Sequence, residues 1–334
     1  MPRTTRSTLL ALAAAAACLV GVAGVATASP SRDDGTGPAL TAPGLDESLT
    51  CSGDLADGSA GEPVLLVPGT TLNPDVNFDW NYARAFTGEG RPWCRVRLPA
   101  HATGDVQVAA EHVVHAIRTM HDEAGGRISV LGFSQGGMVP RWALKYWPDT
   151  RGMVTDVIGI DPSNYGTIDA YPVCGPGCVP AFWQQRTGAG FLRALNDGPD
   201  TFAGIDYTVV YTVTDEVVVP NLPPAASSEL RRDGAGRLAN VPVQAICPVH
   251  VAEHLSMGTT DPVGYAVVAD ALDHDGPADA RRIDRAVCLR DVMPAVDRAQ
   301  LPANEARLLA QVATSVATEP RVPAEPPLRE YARG

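Results

Sequence analysis

Gly132-Phe133-Ser134-Gln135-Gly136 constrains this chain more than any other stretch. The pentapeptide follows the apolar run from Ile128 to Phe133, which has strand length, and precedes a helical pattern from about Gly136 to Trp147. A G-x-S-x-G sequence at such a junction holds its serine on a tight, strained turn with the hydroxyl exposed. Side chains two residues to either side would collide with the neighbouring strand and helix, and glycine removes the collision. The same turn aims the Gln135 amide and the positive end of the helix at one point, where an oxyanion would be held. Ser134 is therefore the candidate nucleophile. The flanks carry the argument, because the bare pentapeptide also arises by chance in Gly-rich chains. Pro140 removes one hydrogen bond early in the helix and is the local misfit.

Around the elbow, strand and helix alternate. Pro63 to Val67 reads as a buried strand, and Val106, Ala109, Ala110, Val113, Val114, Ile117 and Met120 share one face of a helix with Asp105 as its N-cap. Further strands are expected at Val154 to Ile160, Tyr207 to Val213 and Val241 to Ile246, and a late helix carries Leu308, Leu309, Val312 and Val316 on one face. The alternation predicts an α/β fold, a mostly parallel central sheet flanked by helices. The pattern loosens over 161–204, where Pro, Gly, Cys and aromatic residues crowd together, so a cap or insertion over one end of the sheet is expected there. The globular body is expected to run from 51 to 334 as one domain. A flexible lead-in without packed structure (29–50) precedes it, and an extended Pro-rich strap (319–334) ends it.

The first 28 residues read as a secretory signal peptide. Arg3 and Arg6 precede an uncharged run from Leu9 to Ala28 that ends in Ala26-Thr27-Ala28, with cleavage expected after Ala28. An uncleaved anchor is the alternative for a run of that length. Six cysteines remain after Cys18 leaves with the signal: Cys51, Cys94, Cys174, Cys178, Cys247 and Cys288. In an oxidising compartment that means three disulfides whose pairing the sequence leaves open, although Cys174 and Cys178 flank only Gly-Pro-Gly and look like a local clasp. No second Cys or His pair stands at zinc spacing, so no metal is expected. Formal net charge is −12. That balance argues against nucleic acid and anionic membrane as partners and suits a neutral or apolar substrate.

A serine hydroxyl needs a histidine base, and the histidine needs a carboxylate to fix its tautomer. In hydrolases with this elbow the chain order is Ser, then Asp or Glu, then His. His101, His112, His115 and His121 precede Ser134 and read as solvated loop and helix residues, and His274 reads as an exposed helix end. His254 and His250 are left, and spacing barely separates them. Asp215 follows the strand Tyr207 to Val213 and is favoured as the acid, with Asp161 at the preceding strand end as its rival. Each aspartate also has a plain reading as a turn residue or helix cap.

At this point several motifs together resemble one family. Val67-Pro68-Gly69-Thr70, Phe133 to Gly137, Trp183-Gln184-Gln185, Thr214 to Val218, Glu253-His254 and Tyr331-Ala332-Arg333 are similar in order and spacing to the Candida antarctica lipase B family, from about Cys51 onward. The resemblance implies an α/β-hydrolase fold and serine-dependent hydrolysis or transfer of carboxylic esters, with no metal or cofactor. It implies Ser134 as nucleophile, Asp215 as acid and His254 as base, and it decides against His250. Thr70 would join Gln135 in the oxyanion hole, giving three donors. The resemblance also pairs Cys51 with Cys94 and Cys247 with Cys288, while Cys174 and Cys178 have no match in it. Phe133 stands where the family has the tryptophan that floors its alcohol pocket, and Ser163 replaces an aspartate near the acyl side. Preferences for alcohol size and chirality therefore do not transfer. Phe133, Val217, Leu308, Leu309 and Val312 are the expected substrate-pocket residues, although such a helical stripe is more often plain core.

The function this predicts is a secreted serine ester hydrolase of lipase type. Two alternatives stand beside it: an esterase or polyester hydrolase acting on short or soluble esters, and a non-catalytic secreted binding module on the same fold. The implied partners are an ester or lipid substrate and a lipid–water interface, with neither nucleic acid nor metal, and a monomer is the expected state.

Overall fold

The computed structural model describes residues 35–175 and 177–333, and the expected signal peptide (1–28) lies outside them. Seven strands form one sheet: β1 (Leu49–Ser52), β2 (Val64–Val67), β3 (Trp93–Val96), β4 (Ile128–Phe133), β5 (Val154–Ile160), β6 (Asp206–Tyr211) and β7 (Arg237–Pro242), in the order β1-β3-β2-β4-β5-β6-β7. β1 is antiparallel to β3, and every other neighbouring pair is parallel. The central strands are apolar throughout because both faces are covered. Along β2 the side chains alternate between two cores: Leu65 and Val67 pack with the helices Val106–Ala124 and Gln135–Tyr146, while Val64 and Leu66 pack with Tyr82–Glu89 and Pro262–Asp273. Asp105 caps the helix Val106–Ala124 by accepting from Gln107 N at 3.0 Å, and all seven apolar residues read as its inner face are buried.

Four readings need correction. The segment 35–50, expected to carry no packed structure, is bound down: Glu111 accepts from the backbone of Thr41 and Ala42, Trp147 Nε1 donates to Pro38 O at 2.8 Å, and β1 begins at Leu49. Low local hydrophobicity hid this, since the segment is held by polar groups of other elements. The strand expected at Val241 to Ile246 is β7 placed too late, because Pro242 ends the ladder and Val243–Ile246 is a helical turn. His112, read as solvated, is buried without a hydrogen bond to either ring nitrogen, and burial lowers its pKa. The fourth lies on the late helix Leu301–Thr318, where Leu308 is buried in the core and Leu309 is exposed.

Between β5 and β6 the expected cap contains the short helices Ala170–Val173, Pro180–Gln185 and Gly190–Leu195. Residues 319–333 run extended over it: Val322 exchanges backbone hydrogen bonds with Cys178, Glu325 accepts from the amides of Gly190 and Phe191, and Tyr331 packs against Trp142, Tyr146 and Trp147. The disulfides pair Cys51 with Cys94, Cys174 with Cys178, and Cys247 with Cys288. The first joins residues directly opposite each other on β1 and β3.

One buried acid strains the sheet. Asp156 on β5 lies beside Ser129 and Asp206, and burial pushes its carboxyl up to about 7, with Asp206 and Glu62 adding to the rise and Ser129 opposing it. A folded-state pKa raised above the ordinary value of 3.8 gives stability that is present below about pH 4 and lost as pH climbs towards 7. Asp156→Asn cannot ionise, so its Tm should match wild type at pH 4 and exceed it by several degrees at pH 7.5. Equal differences at the two pH values would contradict this.

Candidate active site

Four strand ends supply the site, all at the C-terminal edge of the parallel sheet. Ser134 follows β4 with φ 53° and ψ −121°, a conformation that costs a non-glycine residue of the order of 1–3 kcal/mol. The turn is pinned on both sides, since Ser134 N donates to Ile160 O at 2.8 Å and Gly137 N donates to Ser134 O at 3.0 Å. The flanking glycines fit the steric reading. A β-carbon on Gly132 would lie 1.9 Å from the Gly136 carbonyl oxygen, and one on Gly136 would lie 2.1 Å from that of Val67.

Asp215 lies in the loop after β6 and is almost fully buried. Its Oδ1 accepts from the amides of Val217 and Val218, both at 2.8 Å, and its Oδ2 accepts from His254 Nδ1 at 2.9 Å and from Asn221 Nδ2 at 3.4 Å. His254 opens the short helix His254–Met257, whose start is fixed by a reciprocal capping pair between Glu253 and Ser256, and its backbone N donates to Glu216 at 3.1 Å. The Phe133 ring lies 4.8 Å from the imidazole, centroid to centroid. Gly258 leaves room for that ring, since a β-carbon there would come within 2.5 Å of it. His250 is committed elsewhere, its Nε2 bonded to Asp261 at 2.5 Å. Asp161, the rival acid, sits completely buried at the end of β5.

Thr70 follows β2, and its hydroxyl oxygen accepts from Gln135 Nε2 at 3.0 Å and from Gln185 Nε2 at 2.9 Å. Two accepted bonds fill a hydroxyl's lone pairs and leave its own O–H free to donate. Ser163 Oγ donates to Gln185 Oε1 at 2.8 Å and extends the network towards the cap. Gln185, Glu216 and Asn221 were not singled out as site residues in the sequence. They orient other side chains or the backbone; Gln185 and Glu216 lie within motifs that carry the family resemblance, whereas Asn221 lies outside them and no residue-type rule marks it.

A cavity of about 300 Å³ opens over these groups, with Thr70, Phe133, Ser134 and His254 in its wall together with Val217, Val312 and Val316. The expected pocket residues Phe133, Val217 and Val312 do line it, whereas Leu308 and Leu309 do not. Leu308 is buried in the core, and Leu309 is 56% exposed. On the helix Leu301–Thr318 the cavity lies over Val312 and Val316, while the turn before them docks inward. Leu308 and Leu309 stand at i, i+3, i+4 and i+7 spacings to Val312 and Val316 and share their stripe, so what separates them from the lining is position along the helix axis, not face. Among the described residues, the group of carboxylates and imidazoles close enough to share an ion is Asp161, Asp215 and His254.

No protein-family model matches the chain. It is 33% identical over 328 residues to lipase B of Pseudozyma antarctica, covering 94% of both chains. Among solved structures it is similar to Aspergillus fumigatus lipase B, with a TM-score of 0.81 and 31% identity over 90% of this chain and 76% of that one.

The glycine contacts give a direct check. Gly136→Ala should lower Tm by about 10 °C or more, or yield no soluble protein, because backbone on both sides cannot yield. Gly126→Ala, where nothing lies within 4 Å, should stay within about a degree of wild type. Similar melting of the two variants would refute the steric account.

Proposed function

This chain belongs to the lipase B family of α/β-hydrolases and is a carboxylic ester hydrolase, and on that premise we propose that it is a secreted lipase working through an acyl-enzyme on Ser134, His254 and Asp215. The observation that carries the reading is the 2.9 Å bond from His254 Nδ1 to Asp215 Oδ2, in a cavity that Ser134 and His254 both line. Bonding at Nδ1 leaves Nε2 as the free base. His254 takes the proton of Ser134 as the hydroxyl oxygen attacks the ester carbonyl, and Asp215 stabilises the imidazolium that forms. The Gln135 amide, the Thr70 amide and the Thr70 hydroxyl hold the tetrahedral oxyanion. The alcohol leaves with the proton from His254, and water then repeats the sequence on the acyl-enzyme.

An apolar mouth supports a lipid substrate: Val173 and Val217 line the cavity, and each is 42% exposed. The cavity volume favours a second reading. About 300 Å³ is at the low end for small-molecule sites, which suits an esterase acting on short acyl chains. The binding-module alternative has no observation in its favour. For the compartment, three disulfides are compatible with an oxidising environment, and no helix among the described residues is long and apolar enough to cross a membrane. Export and cleavage after Ala28 belong to the proposal.

A fluorophosphonate should label wild type and not Ser134→Ala. Thr70→Val, which loses one oxyanion donor, should lower kcat about a hundredfold or more with KM little changed. Activity should extend from p-nitrophenyl butyrate to medium-chain esters and emulsified triglyceride. A peak at acetyl with no hydrolysis of the emulsion would replace the lipase by the esterase.

A further inference from the structure

Asp161 is completely buried at the end of β5 and holds a φ of 40°, a left-handed conformation that few non-glycine residues adopt. Its Oδ1 accepts from Thr212 N at 2.8 Å, and its Oδ2 accepts no hydrogen bond. Asp161, Asp215 and His254 each bring one polar atom to within 4.8 Å of the other two. Two carboxyl groups this close and this buried do not both ionise. The charge resides where donors surround it. Asp215 receives two backbone amides, Asn221 and His254, whereas Asp161 receives one amide.

The other groups facing Asp161 point the same way. Asp261, the N-cap of the helix Pro262–Asp273, adds a further negative charge, while Tyr82 and Tyr211 approach as neutral phenols from the helix Tyr82–Glu89 and from β6. The pKa of Asp161 is held well above the usual carboxylate range by burial first and then by Asp215.

We propose that Asp161 is a positioning residue for the catalytic acid: as a neutral carboxylic acid it donates a hydrogen bond to Asp215 and so fixes the carboxylate that orients His254. This rests on the reading of Ser134, Asp215 and His254 given above. The pair then carries a single negative charge when the imidazolium forms, and the Asp161 proton stays in place throughout the cycle. It also makes Asp161 a reserve acid. If Asp215 is replaced by a neutral residue, one of the charges that hold Asp161 protonated disappears while burial remains, and the imidazolium of His254, within 4.8 Å, becomes the cation that favours its ionised form.

The test uses the full-length enzyme and two independent readouts. For catalysis, kcat and KM on p-nitrophenyl butyrate are measured across pH. Asp161→Ala should lower kcat about tenfold with KM within about twofold, and should move the acidic limb of kcat/KM to higher pH, because Asp215 loses a donor. Asp161→Asn, which restores a neutral donor, should recover most of that loss and the wild-type limb. Asp215→Asn should outpace Asp161→Asn/Asp215→Asn by about tenfold. For stability, a carboxyl raised above 3.8 in the folded state weakens the fold as pH rises, so the Tm advantage of Asp161→Asn should grow from pH 4 to pH 8. The proposal is overturned if Asp161→Asn falls as far as Asp161→Ala, if the acidic limb of Asp161→Ala does not move, or if the Tm advantage is flat with pH. Esterase activity surviving in Ser134→Ala would instead overturn the underlying reading, whereas the pH dependence of Tm does not depend on it.

Discussion

Three backbone segments meet behind Ser134 at distances that only glycine permits. The end of β2, the last residues of β4 and the first turn of the helix after the serine come so close that one β-carbon at Gly132 or Gly136 would enter another residue's carbonyl. A serine held at φ 53° needs surroundings that over-determine it, and the buried parallel strands on either side supply them. Thr71 and Asp161 also take positive φ, just beyond the ends of β2 and β5. Strain is thus gathered along one edge of the sheet, where chain direction changes abruptly and side chains are presented to the cavity.

The same edge manages charge with neutral groups. The carboxylate of Asp215 is held by two backbone amides, an asparagine and the imidazole, and the Thr70 hydroxyl is oriented by two glutamine amides. Fixed dipoles of this kind need no reorganisation as charge develops. Cations are used elsewhere: the buried pair Arg141 and Asp200, 2.8 Å apart, ties the helix Gln135–Tyr146 to the region before β6.

How much of this was readable follows from the physics of each element. β4 and β5 were legible to the residue because strands buried on both faces are continuous apolar runs. β1 and β3 at one edge are only four residues long and include Cys, Arg and Ser, and β7 at the other begins on Arg237, so composition did not announce them. Ser134 was legible because its turn demands glycines at fixed offsets. Asp215 was separable from Asp161 only by position, since both end strands, and their division of labour depends on who donates to them. On the late helix the apolar stripe is visible, but periodicity does not say where along its length the core gives way to the cavity, so it does not separate Leu308 and Leu309 from the lining residues Val312 and Val316.

The strap over the cap has a consequence for biosynthesis. Residues 322 and 325 hold Cys178, Gly190 and Phe191 through backbone and carboxylate bonds, and Val312 and Val316 complete the cavity wall. A nascent chain that has already made Ser134, Asp215 and His254 still has an unfinished pocket until these late residues emerge from the ribosome. Translation order therefore delays completion of the cavity wall until well after Ser134, Asp215 and His254 have been made.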